Sequence, residues 1–133
     1  MSTSNNFVPL GFTKLVVDDL DKVADFYRSV CGLVEEGRGE DEIAGRAIRE
    51  LYFESDPPGT GTFTLTNFVD APTRSKPGVI LGFVTEDIDA FVDRAQAAGG
   101  RVEQAAHPRP EYGVKVAFLT DVEGNLLEVV ELL

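Results

Sequence analysis

The chain is poor in residue types on which several classes of function depend. Cys31 is its one cysteine, which excludes an internal disulfide and any cysteine-rich zinc site. Its 12 lysine and arginine residues are outnumbered by 23 aspartate and glutamate residues, which gives a net charge of -11 over 133 residues. Such a charge repels phosphate backbones and anionic lipid, so we expect no nucleic acid and no membrane partner.

The sequence also lacks long apolar runs. None approaches the roughly 20 residues that a membrane-spanning helix needs. Residues 1–6 are polar and have neither the basic patch nor the apolar stretch of a secretory signal, so we expect a cytoplasmic protein. With 43% apolar and 26% charged residues, residues 1–133 have the composition of a single globular domain that folds on its own core.

The sequence does contain an internal repeat. Residues 19–35 and 87–103 match at a constant offset of 68, and each copy has apolar residues at helical spacing. An aspartate before each stripe and a glycine after it are typical of helix caps, so each copy predicts an amphipathic helix of about three turns. Six positions are identical in the two copies: Asp19/Asp87, Asp21/Asp89, Asp25/Asp93, Gly32/Gly100, Val34/Val102 and Glu35/Glu103.

Runs rich in β-branched and apolar residues surround both predicted helices. Each half is predicted as β-α-β-β-β, and the connection from first strand to helix is expected to be one residue longer in the second half. Three strands after each helix disfavour a ferredoxin-like sandwich. The proline-containing stretch 70–77 predicts a linker between module one, about 9–69, and module two, about 78–133. The predicted strands are 12–17, 33–38, 46–54 and 61–68, then 79–84, 101–106, 114–120 and 125–131.

Two segments then resemble a known family. They are FTKLVVDDLDKVADFYRSVCGL (12–33) and VAFLTDVEGNLLEVVE (116–131), and with the duplication they resemble the vicinal oxygen chelate superfamily. That superfamily includes glyoxalase I, fosfomycin- and bleomycin-resistance proteins, and extradiol dioxygenases. The resemblance implies an α+β fold of two tandem β-α-β-β-β modules, which form a curved eight-stranded half-barrel around a cavity. It also implies a homodimer, because a second subunit commonly completes the cavity.

Metal-dependent members of this superfamily carry one ligand, typically histidine or glutamate, on the first and fourth strands of each module. The resemblance assigns these positions to Phe12, Thr64, Val79 and Glu128. A catalytic divalent ion normally takes at least three protein ligands, and only Glu128 has a typical ligand side chain. A register shift of one residue would offer Thr13 or Lys14 on the first strand and Gly78 or Ile80 on the fifth, and none of these is better. We therefore expect no metal and no cofactor, which also excludes a metal-dependent dioxygenase.

Lys14 and Glu128 are the candidate reactive groups. Strand alternation puts Lys14 on the same face as Phe12, so both should face the cavity. Lys14 has two alternative roles: a structural one, in which it extends to solvent at the cavity mouth or forms a salt bridge, and a functional one as an electrophile for a ligand carboxylate or enolate. Glu128 either pairs with a basic side chain or acts as a general base.

Four further residues are candidates for ligand contact. Phe12 and Phe83 are predicted to stack on an aromatic ligand, by the same alternation argument. Thr64 would supply a hydroxyl to the cavity wall, and Tyr112 would reach the ligand from a proline-rich loop that begins at His107.

Two functions fit these residues. The first is metal-independent binding or sequestration of a small, partly aromatic organic molecule, as in bleomycin-resistance proteins; the negative charge favours a cationic ligand. The alternative is a metal-free lyase or isomerase in which Glu128 is the base and Lys14 the electrophile.

Overall fold

A computed structural model of the chain describes residues 12–43, 46–55, 61–70 and 79–133. Within these ranges two successive β-α-β-β-β units follow one another, as the repeat predicts. The elements of the first unit are β1 (Phe12–Val16), α1 (Leu20–Cys31), β2 (Glu35–Ile43), β3 (Arg46–Phe53) and β4 (Thr62–Phe68). The elements of the second unit are β5 (Ile80–Val84), α2 (Ile88–Ala97), β6 (Arg101–Arg109), β7 (Val114–Thr120) and β8 (Leu126–Leu132).

The strands form two four-stranded sheets with the same topology. The strand order is β1-β4-β3-β2 in the first sheet and β5-β8-β7-β6 in the second. In each sheet the first strand runs parallel to the fourth strand of its unit, and the other pairs are antiparallel. The α+β tandem-module fold is therefore confirmed, with its eight strands divided between two mixed sheets.

Both helices begin at the predicted aspartates. The Asp19 carboxylate accepts a hydrogen bond from the Lys22 amide at 3.0 Å, and Asp87 accepts one from the Ala90 amide at 3.1 Å. No helix within the described residues is long and apolar enough to cross a membrane.

The two units share one hydrophobic core. Residues of both helices and both sheets belong to a single cluster of buried side chains. Tyr27 of α1 lies at its centre, edge-on to Phe63 of β4 and stacked on Phe83 of β5 at ring-centroid distances of 5.5 and 6.2 Å. Its hydroxyl donates to Asp121 Oδ2, between β7 and β8, at 2.8 Å. The two units therefore pack on one another through the faces of the sheets that carry the helices.

The structure corrects the expected extra residue in the second unit. In both units two residues separate the end of the first strand from the capping aspartate. Pairing with β8 begins at Ile80, so Ile80, and not Val79, is the counterpart of Phe12. Composition extended the predicted strand by one residue because Val79 is itself β-branched, whereas the hydrogen-bonded register decides where the strand begins.

Two strands are longer than expected. The charged run from Glu35 extends β2 to Ile43, beyond the predicted end at residue 38, and the segment from His107 to Arg109 belongs to β6, where a loop was expected. Both strands lie at the outer edge of their sheets. An edge strand tolerates charged side chains, and it tolerates Pro108 because a missing N–H on the solvent side leaves no ladder partner unsatisfied. Most of the predicted linker, residues 71–77, lies outside the described residues.

Candidate functional site

Strand alternation gives each sheet a helix face, which packs on the helices, and an open face on the opposite side. In the first sheet Leu15, Leu51 and Leu65 lie in the core on the helix face. The side chains that alternate with them define the open face. On the first sheet the open face carries Phe12, Lys14, Glu50, Tyr52, Thr64 and Thr66, and on the second it carries Ile80, Gly82, Val84, Leu126 and Glu128.

A buried carboxylate, Glu50 of β3, lies at the centre of the first open face. Glu50 is 4% exposed, and Lys14 Nζ donates to its Oε2 at 2.7 Å. The Thr66 hydroxyl donates to the same oxygen at 2.8 Å, and the Tyr52 hydroxyl donates to Oε1 at 3.3 Å. Glu50 pairs directly with Thr66 across the sheet, while Lys14 and Tyr52 both pair with Thr64. Strand register therefore brings these four polar groups together.

The hydrogen bonds decide the charge state of this cluster. Burial by itself would raise the pKa of Glu50, but the hydrogen bonds from Lys14 and Thr66 outweigh it and hold that pKa below its ordinary value. Burial and the charge of Glu50 raise the pKa of Tyr52. The cluster thus combines an ionised carboxylate, an ammonium and a protonated phenol.

Lys14 forms a salt bridge, the first of the two roles considered for it. Its ammonium contacts Glu50 and also lies 5.9 Å from the centre of the Phe12 ring. About a third of its side chain stays exposed, whereas Glu50 is enclosed. One donor of the ammonium is used on Glu50, and the exposed part can still meet a ligand.

Glu128 lies half-buried in the middle of β8, on the open face of the second sheet. Its direct cross-strand neighbours are Gly82 on β5 and Phe118 on β7. A Cβ added at Gly82 would meet no atom within 4 Å, so there is open space beside the glutamate. No hydrogen bond or ion pair joins Glu128 to another described residue, and none joins it to Lys14 on the first sheet. The structure therefore does not bring the two candidate reactive groups into contact.

The placement of Phe83 on the same wall as Phe12 is wrong. Because Gly82 pairs with Glu128, Phe83 pairs with Val129 and projects from the helix face. Its ring packs against Tyr27 and Phe91 at 6.2 and 6.3 Å. The error has the same cause as the misplaced start of β5, since a shift of one residue exchanges the two faces of a strand.

The other two candidates for ligand contact, Thr64 and Tyr112, lie in different units of the fold. Thr64 is buried on the first open face, where its direct cross-strand neighbours are Lys14 on one side and Tyr52 on the other. It is therefore part of the sheet surface on which the cluster lies. Tyr112 is exposed in a single 3₁₀ turn between β6 and β7, where the Arg109 guanidinium lies 5.1 Å from its ring. Among the described residues, no hydrogen bond, ion pair or ring contact joins Tyr112 to the open faces.

The residues at the positions that carry metal ligands in the vicinal oxygen chelate superfamily do not fit a divalent ion in this chain. With the register corrected they are Phe12, Thr64, Ile80 and Glu128, which together offer one carboxylate and one buried hydroxyl. A divalent ion needs at least three such donors. Within the described part of the chain, no group of three or more histidine, cysteine, aspartate or glutamate side chains could hold an ion.

Sequence reasoning did not identify Glu50 and Tyr52. The segment RAIRELYF predicts a strand, and alternation puts Ile48, Glu50 and Tyr52 on one face of it. A glutamate within a largely apolar strand is the same kind of signal that singled out Lys14. Its partner could not be named, however, because pairing between strands is not visible in the sequence.

Cys31 has no reactive character. It is half-buried at the end of α1, and burial raises the pKa of its thiol to about 12. The thiol stays protonated at neutral pH, and the thiolate is the nucleophilic form. Cys31 therefore serves as a small packing residue at the end of α1.

Comparison with known proteins agrees with this geometry. The model of the Glyoxalase/Bleomycin resistance protein/Dioxygenase superfamily matches residues 10–129. The chain belongs to this superfamily.

Two curated relatives align along most of their length. Uncharacterized protein YraH of Bacillus subtilis is 28% identical over 130 residues, which cover 90% of this chain and 95% of YraH. A protein of Vibrio parahaemolyticus named probable lactoylglutathione lyase is 27% identical over 122 residues, which cover 90% of this chain and 87% of that protein. Among solved structures, a glyoxalase family protein from Bacillus cereus superposes with a TM-score of 0.81 at 21% identity, covering 100% of this chain and 99% of the other. That superposition supports the fold.

Proposed function

We propose that this superfamily member binds or sequesters a small, partly aromatic organic molecule without a metal ion. In this proposal residues 1–133 act as one domain, with modules at about 9–69 and 78–133 joined by a linker at about 70–77. The observation that carries the proposal is the 2.7 Å contact between Lys14 and Glu50. This contact engages the Lys14 ammonium with a carboxylate of its own sheet. It therefore favours a role for Lys14 in a binding surface and disfavours an acid-base pair of Lys14 and Glu128.

The open faces offer the groups that such a ligand needs. Ligand sites combine apolar and aromatic surface with a few fixed polar groups. Phe12 provides an exposed ring, and Lys14 and Tyr52 provide polar atoms whose positions are fixed by Glu50. Glu128, which has no hydrogen bond or ion pair to another described residue, would add a carboxylate from the second sheet. Together with the net charge of -11, this favours a neutral or cationic molecule.

A metal-free lyase or isomerase is the second candidate. Its support is Glu128, which has open space beside it, and the relative named probable lactoylglutathione lyase. In such an enzyme Glu128 would take a proton from a carbon next to a carbonyl group, and Lys14 would stabilise the resulting oxyanion.

A ligand screen distinguishes these functions. The purified protein would be treated with a chelator and tested by thermal shift against cationic and neutral aromatic compounds, including metal-free bleomycin. Binding should raise the melting temperature in the presence of chelator, and mass spectrometry should recover the compound unchanged. Phe12→Ala should weaken the shift, and Val34→Ala, at an exposed position outside both open faces, should leave it unchanged.

The two hypotheses differ in the expected effect of Glu128→Gln. If a compound is converted and Glu128→Gln abolishes the conversion while affinity stays near normal, the enzyme hypothesis is correct and the binding hypothesis is wrong. If no compound is converted and the variant changes affinity alone, the binding hypothesis is correct and the enzyme hypothesis is wrong.

We also propose that the protein acts as a homodimer. Large apolar side chains lie exposed on the edge strands β1 and β5: Phe12 is 61% exposed, Ile80 57% and Val84 71%. A second subunit would cover these side chains and the strand edges. Analytical ultracentrifugation at micromolar concentration should give a dimer, and Val84→Lys should shift it toward monomer. A monomeric wild-type protein would contradict a shared site.

A further inference from the structure

A cavity lies at the edges of the two sheets, apart from the Glu50 cluster. It has a volume of about 530 Å³, and its lining comes from β1, β3, β4 and β5 and from the segments that follow α1 and β3. Thr13, Phe63 and Phe83 line it, and each is a direct chain neighbour of an open-face residue. Thr62 and Gly82 reach the lining from open-face positions, but the described lining contains neither Lys14 nor Glu50. This cavity, which we term the aromatic cleft, is therefore separate from the Glu50 cluster.

Fixed aromatic rings form the walls of the aromatic cleft. Phe53 and Phe63 are stacked with centroids 5.7 Å apart and planes inclined by 24°. Phe63 also packs edge-on against the fully buried Tyr27, and Phe83 stacks on the same tyrosine. Phe63 and Phe83 are only half-buried, so ring surface remains available within the cleft. Rings held in this way can stack on a planar ligand without a large loss of side-chain freedom.

The described lining of the aromatic cleft carries negative charge only. Glu54 is its one ionisable lining residue within the described chain, and lysine, arginine and histidine are absent from that lining. No ion pair joins the Glu54 carboxylate to another described residue. A negative group at an aromatic cavity, in a chain of net charge -11, disfavours anions and attracts cations.

We infer that the aromatic cleft binds a planar aromatic cation. The ligand would stack on Phe63 and Phe83 and place its charge toward Glu54. The volume lies within the range of small-molecule sites, about 300–1,000 Å³. This site is distinct from the proposed open-face site, so either one can fail without the other.

Proflavine, a planar cationic acridine, provides a direct probe. Fluorescence titration of the wild-type protein at physiological salt should give saturable one-to-one binding, with a dissociation constant on the order of 0.1 mM. The anionic dye 8-anilinonaphthalene-1-sulfonate should not compete. Phe63→Leu and Phe83→Leu should each weaken proflavine binding by about two- to tenfold, because stacking is lost while the volume is nearly kept.

Two substitutions keep the result interpretable if the phenylalanine variants fold poorly. Glu54→Gln changes an exposed side chain and should weaken binding by about two- to fivefold, with a smaller effect at high salt. Tyr112→Leu, which removes an exposed ring outside the described lining of the cleft, should leave it unchanged. The inference is overturned if proflavine does not saturate the protein, if Glu54→Gln has no effect, or if the two phenylalanine variants bind the dye as tightly as Tyr112→Leu does.

Discussion

At the scale of single residues, the Lys14–Glu50 salt bridge places a pair of opposite charges at the centre of the open face of the first sheet. Glu50 is buried while its partner keeps a third of its side chain in solvent, so the lysine loses little hydration when it neutralises the carboxylate. Removing Lys14 would leave a buried charge with hydroxyl partners alone, a change that generally destabilises a protein by a few kcal/mol. The pair is therefore a structural element of the open face as well as a part of the proposed site.

We predict an acid-dependent loss of stability that comes from Glu50. Its pKa is lowered in the folded protein, so its stabilising effect is present above the ordinary value of 4.5 and is lost as the pH falls through the folded pKa. Urea unfolding from about pH 7 to about pH 3 would compare the wild type with Glu50→Gln. The difference in unfolding free energy between them should shrink below about pH 4.5. A constant difference would mean that Glu50 is not held ionised by Lys14.

At the scale of elements, identical residues of the repeat serve different purposes. Gly32 ends α1 in the left-handed conformation, with φ of 67°, which favours glycine. Gly100 matches it in sequence but lies beyond α2, where a Cβ would come within 2.9 Å of the Thr120 and Ala95 carbonyl oxygens and of the Phe26 ring. The first glycine is needed for its backbone conformation and the second for close packing.

Gly100→Ala should consequently destabilise the protein by about 1–3 kcal/mol, because the Ala95 and Thr120 carbonyl oxygens cannot easily move away from the new methyl group. Gly82→Ala is the matched control: it lies in the same unit, on a strand, with open space around the new methyl group. Its effect on the unfolding free energy should stay within about 0.5 kcal/mol. Denaturant unfolding of both variants checks the prediction, and equal effects would contradict the packing assigned to Gly100.

The sequence allowed the elements to be predicted better than the faces they present. Helical periodicity and the capping aspartates located both helices, since those signals are local. The faces of β5 were exchanged because Val79 extends the apolar run by one residue, and only pairing with β8 sets the register. For the same reason Lys14 was recognised as unusual, while Glu50, its partner 36 residues away, was not.

At the scale of the whole molecule, a buried polar network holds the two units together. The Tyr27 hydroxyl donates to Asp121, which also accepts from the Asn125 side chain and from two backbone amides. Burial, together with the charge of Asp121, raises the pKa of Tyr27, so the phenol keeps its proton as a donor. In the same turn Glu123 accepts from the Asp18 and Asp19 amides at the start of α1. The turn between β7 and β8 thereby anchors the first helix.

Tyr27→Phe should lower the unfolding free energy by about 1.5–3 kcal/mol, the range for a hydrogen bond to a charged group. Tyr112→Phe removes the same hydroxyl from an exposed ring and should change the stability by less than about 0.5 kcal/mol. Equilibrium urea denaturation of the two variants provides the test. A loss for Tyr27→Phe no larger than that for Tyr112→Phe would exclude the buried bond as a link between the units.

The central claim is that this superfamily member works without a metal ion, and direct metal binding tests it. Chelator-treated protein would be titrated with zinc, nickel and manganese by calorimetry, and the metal content of untreated protein would be measured by elemental analysis. We predict no stoichiometric ion in either measurement, with wild-type and Glu128→Ala proteins behaving alike. One tightly bound ion per chain, lost in Glu128→Ala, would contradict the account.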